Sequence, residues 1–200
     1  MDTPQMPAMF ALMLDVIALP VMLIGGASLP GRLQALDDHG ATDIHVFAPE
    51  PAEDLTALAG ARLAQRWPEA ADFARIRPRL AFISDMDDDR AAGFRALAKD
   101  VGALVHVQDR IPLCDFHLPA KVRHGHLQVT VSTDGTAAGL SRLIRQYLEA
   151  EVFGPEWADR VDEVAQARTA WKAQGLSMAE LAREIESMVV ARGWLPAKKP

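Results

Sequence analysis

The stretch VHVQDRIPLCDFHLPA (Val105–Ala120) sets two carboxylates and the only thiol of the chain close together: Asp109, Cys114 and Asp115. Val105 and Val107 carry the pattern of an interior strand. Asp109 then falls at the carboxyl end of that strand, which is where an open parallel sheet holds its ligands. A carboxylate in such a place can act as a general base or bind a cation. A lone cysteine is commonly a small buried hydrophobe, and Cys114 is read that way.

A second constellation is IGGASLPGR (Ile24–Arg32). A glycine turn between a strand and a helix aims backbone N–H groups and the helix N-terminus at an anion, which is the chemistry of pyrophosphate binding. The dinucleotide fingerprint G-x-G-x-x-G needs glycines at positions 25, 27 and 30. Gly25 matches, while Ala27 and Pro30 stand at the other two. Spacing alone therefore leaves two readings open, a phosphate cradle and a plain strand-to-helix turn. VFAPE (Val46–Glu50) puts Glu50 at roughly the distance after Gly25 at which such folds set an acid against the ribose, though an acid after a strand is also ordinary turn chemistry. Asp88 and Asp89 in SDMDDDR read as helix-capping or solvent-facing residues. His124 and His126 read as polar turn residues, so no resident metal is expected.

These residues need elements to position them. Val21–Ile24 is a continuous apolar run, as in a strand buried on both faces. Leu29, Leu33 and Leu36 fall at helical spacing, Gly40 closes that helix, and Ile44–Phe47 is a second strand. Strand, glycine turn, helix and strand make a βαβ unit. Pro51–Trp67 is expected as one helix through Leu55, Leu58 and Leu63, Arg79–Ile83 as a third strand, Arg90–Lys99 as a helix capped by Asp88 or Asp89, and Leu104–Val107 as a fourth strand. The alternation implies a parallel sheet with helices on both faces. Beyond it, HLQVTVSTDGT (His126–Thr136) alternates like a half-exposed strand, Leu140–Glu149 is an amphipathic helix, and Trp157–Trp194 holds two helices parted near Gly175. The second of these opens on a capping box, Ser177 with Glu180. The closing PAKKP is expected to fray.

The 200 residues carry a formal charge of -6, and no basic stripe runs along the chain, so a nucleic-acid partner is not expected. A single cysteine fits a reducing compartment, the cytoplasm. The apolar stretch from Met6 to Ile24 contains Asp15, Pro7 and Pro20 and has no basic residue before it. It is expected to form core rather than a membrane span or signal peptide.

The order of these motifs resembles the siroheme synthase family, in its precorrin-2 dehydrogenase/sirohydrochlorin ferrochelatase module. The stretches that carry the resemblance are IGGASLPGR, VFAPE, SDMDDD, VHVQDRIPLCDFHLPA and VTVSTDGTAAGLSRLIRQYLE. They are similar to the family patterns V-G-G-G-x-V-A-x-R-K, V-x-A-P, A-T-D-D, N-V-V-D-x-P-x-x-C-D-F-x-x-P-A and V-S-(S/T)-x-G-x-(S/A)-P-x-L. The resemblance implies an α/β protein, with a Rossmann-like NAD-binding domain over residues 1–113, a linking region over 114–149 and a helical dimerisation part over 150–200. It implies NAD-dependent oxidation of precorrin-2 to sirohydrochlorin, with ferrous iron as the substrate of a following insertion step, and Asp109 as the general base. The cofactor would lie on Gly25, Gly26, Ala27, Ser28, Leu29, Pro49, Glu50 and Ser84. The tetrapyrrole would lie on Ser132, Thr133, Gly135 and Thr136. Charge complementarity, rather than the resemblance, suggests Arg110, Lys121 and Arg123 as receivers of its carboxylates. A homodimer is expected, with Trp157, Trp171 and Leu181 at least partly against the second copy. The departures from the family pattern, Ala27, Leu29-Pro30, Leu33 and Ser84-Asp85-Met86-Asp87, all fall on the NAD side. The alternative reading is thus a non-oxidising tetrapyrrole-binding or chelatase-only homologue with a weakened nucleotide site.

Overall fold

The computed structural model describes residues 9–196, which divide into two compact units at Leu118/Pro119. In the first unit β1 (Val21–Ile24), β2 (Ile44–Phe47), β3 (Leu63–Ala64), β4 (Leu80–Ile83) and β5 (Leu104–Val107) form one parallel sheet in the order β3-β2-β1-β4-β5. The helices between them are α1 (Leu29–Asp37), α2 (Glu53–Ala59), α3 (Ala70–Ile76) and α4 (Asp88–Asp100). The apolar strands follow from burial on both faces. Val21, Leu23, Val46, Leu80 and Phe82 pack under Leu29, Leu33 and Leu36 of α1 and Leu55 of α2. Met22, Ile24, Ala81, Ile83, Val105 and Val107 face Phe73 of α3 and Phe94 and Ala98 of α4. Consecutive strand residues thus serve opposite faces, and every position in β1 and β4 is buried.

The helix expected over Pro51–Trp67 ends at Ala59, because Gly60 turns at φ 53°; Leu63 and Ala64 then pair with Val46 and Phe47 as the edge strand β3. Helix α3 was not anticipated; it is short and opens on a capping box formed by Glu69 and Asp72. The cap of α4 is Asp87, whose carboxylate accepts the Arg90 N–H at 2.8 Å, so Asp88 and Asp89 sit in the first turn instead. The apolar N-terminal stretch joins the core fully only at Val21. Phe10, Leu12, Met13, Leu14 and Ile17 are exposed, because residues 9–20 form no helix or strand that would present an apolar face. Met6, Pro7 and Ala8 of that stretch, and Ala197–Pro200 of the terminal PAKKP, lie outside the described residues. Among the described residues no helix is long and apolar enough to cross a membrane.

Strand β5 lies at the sheet edge, where unpaired backbone groups need cover. The chain returns along it through a 3₁₀ turn at Ile111–Leu113. The Asp115 N–H donates to the Val105 carbonyl at 2.7 Å, and the Asp115 carboxylate accepts the Val105 N–H and the Lys99 ammonium, each at 2.9 Å. The Val107 N–H reaches the Cys114 sulfur at 3.3 Å, and that thiol donates to the Val107 carbonyl at 3.1 Å. Side chains and one amide thereby take the place of a sixth strand.

The second unit contains an antiparallel hairpin, β6 (Ala120–His124) and β7 (Leu127–Val131), turned by Gly125-His126. Helix α5 (Ala138–Tyr147) continues into a wide π turn at Leu148–Val152, and α6 (Trp157–Ala173) and α7 (Met178–Ala191) complete the unit. Strand β6 was not anticipated, since Val122 is its only fully buried residue. The capping box of α7 is present, with the Ser177 N–H donating to Glu180 at 2.8 Å. Trp157 and Leu181 are 9% and 2% exposed in the single chain, and Trp171 is half-buried. The Trp157 indole N–H donates to the Val152 carbonyl at 3.0 Å. The uncovered apolar face is that of α5, where Leu140, Leu143, Ile144 and Tyr147 are exposed.

The edge closure makes a prediction. Asp115→Ala leaves the Val105 N–H without its carboxylate partner and should lower unfolding stability by about 1–3 kcal/mol, the cost of an unmet buried donor. Cys114→Ser keeps a donor and an acceptor toward Val107 and should cost less. Urea denaturation of the two variants checks the order.

Candidate functional site

The strand order reverses direction between β1 and β4, whose connections leave toward opposite faces of the sheet. A crevice opens at such a switch point, at the carboxyl ends of the strands. Here it is lined by the residues after β1 and after β4. A Cβ on Gly25 would stand 2.4 Å from the Ser84 carbonyl oxygen and 2.6 Å from the Ser84 hydroxyl, so only glycine allows the two strand ends this close. The Gly25 N–H donates to the Phe47 carbonyl and the Ser84 N–H to the Ile24 carbonyl, each at 3.0 Å. Gly26 is under no such pressure: the nearest atom to its Cβ position is 3.7 Å away. Ser28 is the N-cap residue of α1, and Pro30 falls in the first helical turn, where its missing N–H leaves no bond unmade.

The N-terminus of α1 already holds an anion. The Asp85 carboxylate accepts the Ser28 N–H at 2.8 Å, the Ser28 hydroxyl at 2.9 Å and the Ser84 hydroxyl at 3.1 Å. Burial works to raise its pKa, but these bonds and a further one from the Gly26 amide outweigh it and hold the carboxyl below the usual carboxylate value. Asp85 reaches this place from a left-handed backbone, φ 56°, uncommon for a residue with a side chain. A dinucleotide's pyrophosphate needs those same N–H groups. Asp85 therefore stands on donors for which a phosphate group would compete.

Of the other residues assigned to the cofactor, Ala27 is exposed at the turn and Leu29 turns its side chain into the core, with its N–H on the Gly26 carbonyl at 3.1 Å. Pro49 and Glu50 follow β2 at the carboxyl edge of the sheet, and Glu50 is exposed.

Asp109 follows β5 at the same edge, also left-handed at φ 59°. It lines an open cleft of about 410 Å³ with Asp85, Met86, Asp88, Gln108 and Arg110. Arg110 is engaged there: it donates to the Asp88 carboxylate at 2.5 Å and the Met86 carbonyl at 2.6 Å, tying the loop after β4 to the loop after β5. Asp115 and Cys114 point the other way, into the edge of β5. Burial would raise the Asp115 pKa, but bonds from Lys99 and the Val105 amide hold it down, while burial pushes the Cys114 thiol up. Both are occupied structurally, which leaves Asp109 as the exposed acid of VHVQDRIPLCDFHLPA.

Ser132, Thr133, Gly135 and Thr136 lie in the second unit, in the loop from β7 to α5. The Thr133 hydroxyl accepts the Ala137 N–H and pairs with the Ser141 hydroxyl, each at 3.1 Å, and the Thr136 hydroxyl donates to the Thr133 carbonyl at 2.6 Å. Asp134 and Gly135 are left-handed, so the loop is a tight turn. Lys121 and Arg123 stand on the exposed side of β6.

Residue-level reading missed Arg32 and His106. They border a cavity of about 20 Å³, room for one water molecule, with Ser28, Phe82, Ser84 and Gln108. The Arg32 guanidinium lies over the Phe82 ring at 4.9 Å, and burial lowers its pKa. His106 packs between Phe82 and Phe116, with ring centroids 5.9 and 5.7 Å away. Burial, then the charges of Arg32 and His117, lower its pKa to about 4. The signal for Arg32 is its place in the strand-turn-helix motif; nothing local marks His106.

Sheet order and crevice define a Rossmann-like α/β fold. The family described as "Putative NAD(P)-binding" matches residues 12–120, and the chain belongs to it. The siroheme synthase of Ectopseudomonas mendocina (strain ymp) is 31% identical over 167 residues, covering 76% of this chain and 36% of that protein. The siroheme synthase of Gluconobacter oxydans (strain 621H) is 30% identical over 178 residues, covering 85% and 37%. The chain thus spans about a third of the length of the curated relatives it matches. A solved structure, "SirC, precorrin-2 dehydrogenase", superposes with a TM-score of 0.67 at 18% identity over 94% of this chain and 93% of that one, a likeness of fold.

His106 gives a pH prediction. Its pKa of about 4 in the folded chain lies below the ordinary 6.5, so the unfolded chain binds the extra proton between these values. Stability should therefore fall as pH drops from 6.5 toward 4 and level off below. His106→Phe should remove a part of that fall on the order of 2 kcal/mol, read by urea denaturation at neutral pH and near pH 4.5.

Proposed function

We propose that this chain oxidises precorrin-2 to sirohydrochlorin in siroheme biosynthesis, with NAD as oxidant and Asp109 as the general base. The observation that carries the reading is Asp109 itself. It is the exposed carboxylate at the carboxyl end of β5, it faces an open cleft beside the β1/β4 switch point, and its backbone is held by the closed edge of β5. A base in that position takes a proton from the macrocycle. The siroheme synthase relatives and the SirC-like fold support the pathway. In this reading Ser132, Thr133, Gly135 and Thr136 contact the tetrapyrrole, and Lys121 and Arg123 receive its carboxylates. A second copy of the chain covers the exposed apolar face of α5. Ferrous iron is the substrate of a following insertion step.

A second reading has its own observation. The Asp85 carboxylate in the glycine turn favours a tetrapyrrole-binding or chelatase-only protein in which nucleotide binding has weakened.

Anaerobic incubation with precorrin-2, with and without NAD, separates the two readings by the absorbance of sirohydrochlorin. NAD-dependent formation is the expected result; none at millimolar NAD leaves the second reading. Asp109→Asn should lower oxidation about a hundredfold or more, the scale for loss of a positioned base, with the fold intact because Asn tolerates the left-handed backbone. Near-normal turnover in that variant would remove Asp109 from the chemistry.

A further inference from the structure

We propose that Asp85 is an internal anion plug of the nucleotide site: it occupies the α1 N-terminus in place of a phosphate, so a dinucleotide binds only by displacing it. The inference rests on the nucleotide-site part of the reading above and goes beyond it, because it names the residue that sets nucleotide affinity.

Four observations carry it. The carboxylate takes the donors a phosphate group would take, the Ser28 N–H at 2.8 Å and the Ser28 hydroxyl at 2.9 Å, with the Ser84 hydroxyl at 3.1 Å on its other side. It does so at the switch point, between the ends of β1 and β4, where the fold directs a pyrophosphate. It is held there by backbone geometry: Gly25 lets the Ser84 carbonyl come within what would be 2.4 Å of a Cβ, and the left-handed Asp85 then folds its side chain back over the turn. Finally, Asp85 is exposed and lines the cleft that contains Asp109, so it has solvent to swing into. A swing alone does not remove the obstacle, since the displaced carboxylate stays near the entering phosphates and repels them.

Both charge and occupancy oppose the ligand, and two substitutions part them. Asp85→Asn keeps the shape and one acceptor but loses the charge. Asp85→Thr loses the charge and shortens the side chain, at the cost of a β-branched residue on the left-handed backbone. Ala27→Gly, by contrast, leaves the plug in place.

The test is calorimetric titration of the whole chain with NAD, ADP and adenosine, without divalent cations, alongside melting temperature with and without inorganic pyrophosphate. Asp85→Thr should bind NAD and ADP at least about tenfold more tightly than the unaltered chain, with Asp85→Asn between them; adenosine, lacking phosphate, should bind all three alike. Pyrophosphate should raise the melting temperature of Asp85→Thr by mass action and leave that of the unaltered chain unchanged. Ala27→Gly alone should not reproduce the gain. Equal NAD affinity in the unaltered chain and both Asp85 variants overturns the plug, and so does failure of both variants to bind NAD at all, because an opened cradle must accept it. Asp85→Asn, which retains the turn's hydrogen bond, decides the matter if Asp85→Thr does not fold. Tight NAD binding by Asp85→Thr with no oxidation of precorrin-2 supports the plug and overturns the dehydrogenase reading, so the two fail separately.

Discussion

The close approach of Gly25 to Ser84 is the contact on which the rest of the first unit depends. Two central strands run side by side and end together, and their connections must leave toward opposite faces. That requires the carbonyl and hydroxyl of Ser84 to sit within 2.6 Å of where a Cβ on residue 25 would be. Because the space is given up by glycine, α1 starts immediately after the turn with its free N–H groups aimed at the crevice. The same contact delivers Asp85 to those N–H groups. A helix N-terminus attracts negative charge from whatever source is nearest, and here the nearest source is the chain itself.

The two acids of the β5 loop show how similar residues a few positions apart are given different work. Asp115 is drawn to the sheet edge because β5 has no outer neighbour, and its carboxylate supplies the acceptor that another strand would have supplied. Cys114 completes the same edge with its sulfur. Closing that edge fixes the loop at both ends, with Arg110 tied to Met86 and Asp88 on the far side. Asp109 is what remains at the mouth: an acid on a rigid support, turned to an open cleft.

Much of the first unit was legible in the sequence. Strands β1, β2 and β5 match their expected ranges and β4 differs by one residue, because strands that feed a core are apolar runs with sharp ends. Helix α1 was legible from Leu29, Leu33 and Leu36, and the cap of α7 from Ser177 and Glu180. Short elements were not. Strand β3 has only two residues and exists because Leu63 and Ala64 find Val46 and Phe47 across the sheet edge; β6 is as long as β7 but is mostly polar, with Val122 its only fully buried residue, and exists because it pairs with β7. The exposed N-terminal stretch misled for the opposite reason, since hydrophobicity without regular structure has no face to bury.

For the site, sequence alone determined which residue types stand at the strand ends: a glycine after β1, an acid after β2, acids after β4 and β5. These are local facts of pattern and spacing. What each does was decided by tertiary structure. Asp115 could not be told from Asp109 until the open edge of β5 was known, and Asp87 could not be told from Asp88 until the first turn of α4 was placed. Asp85 lies far from Ser28 along the chain, and no local rule pairs them. Only the parallel packing of β1 against β4 brings a carboxylate to the end of α1, because anion binding at a helix terminus depends on distance in space and not on distance in sequence.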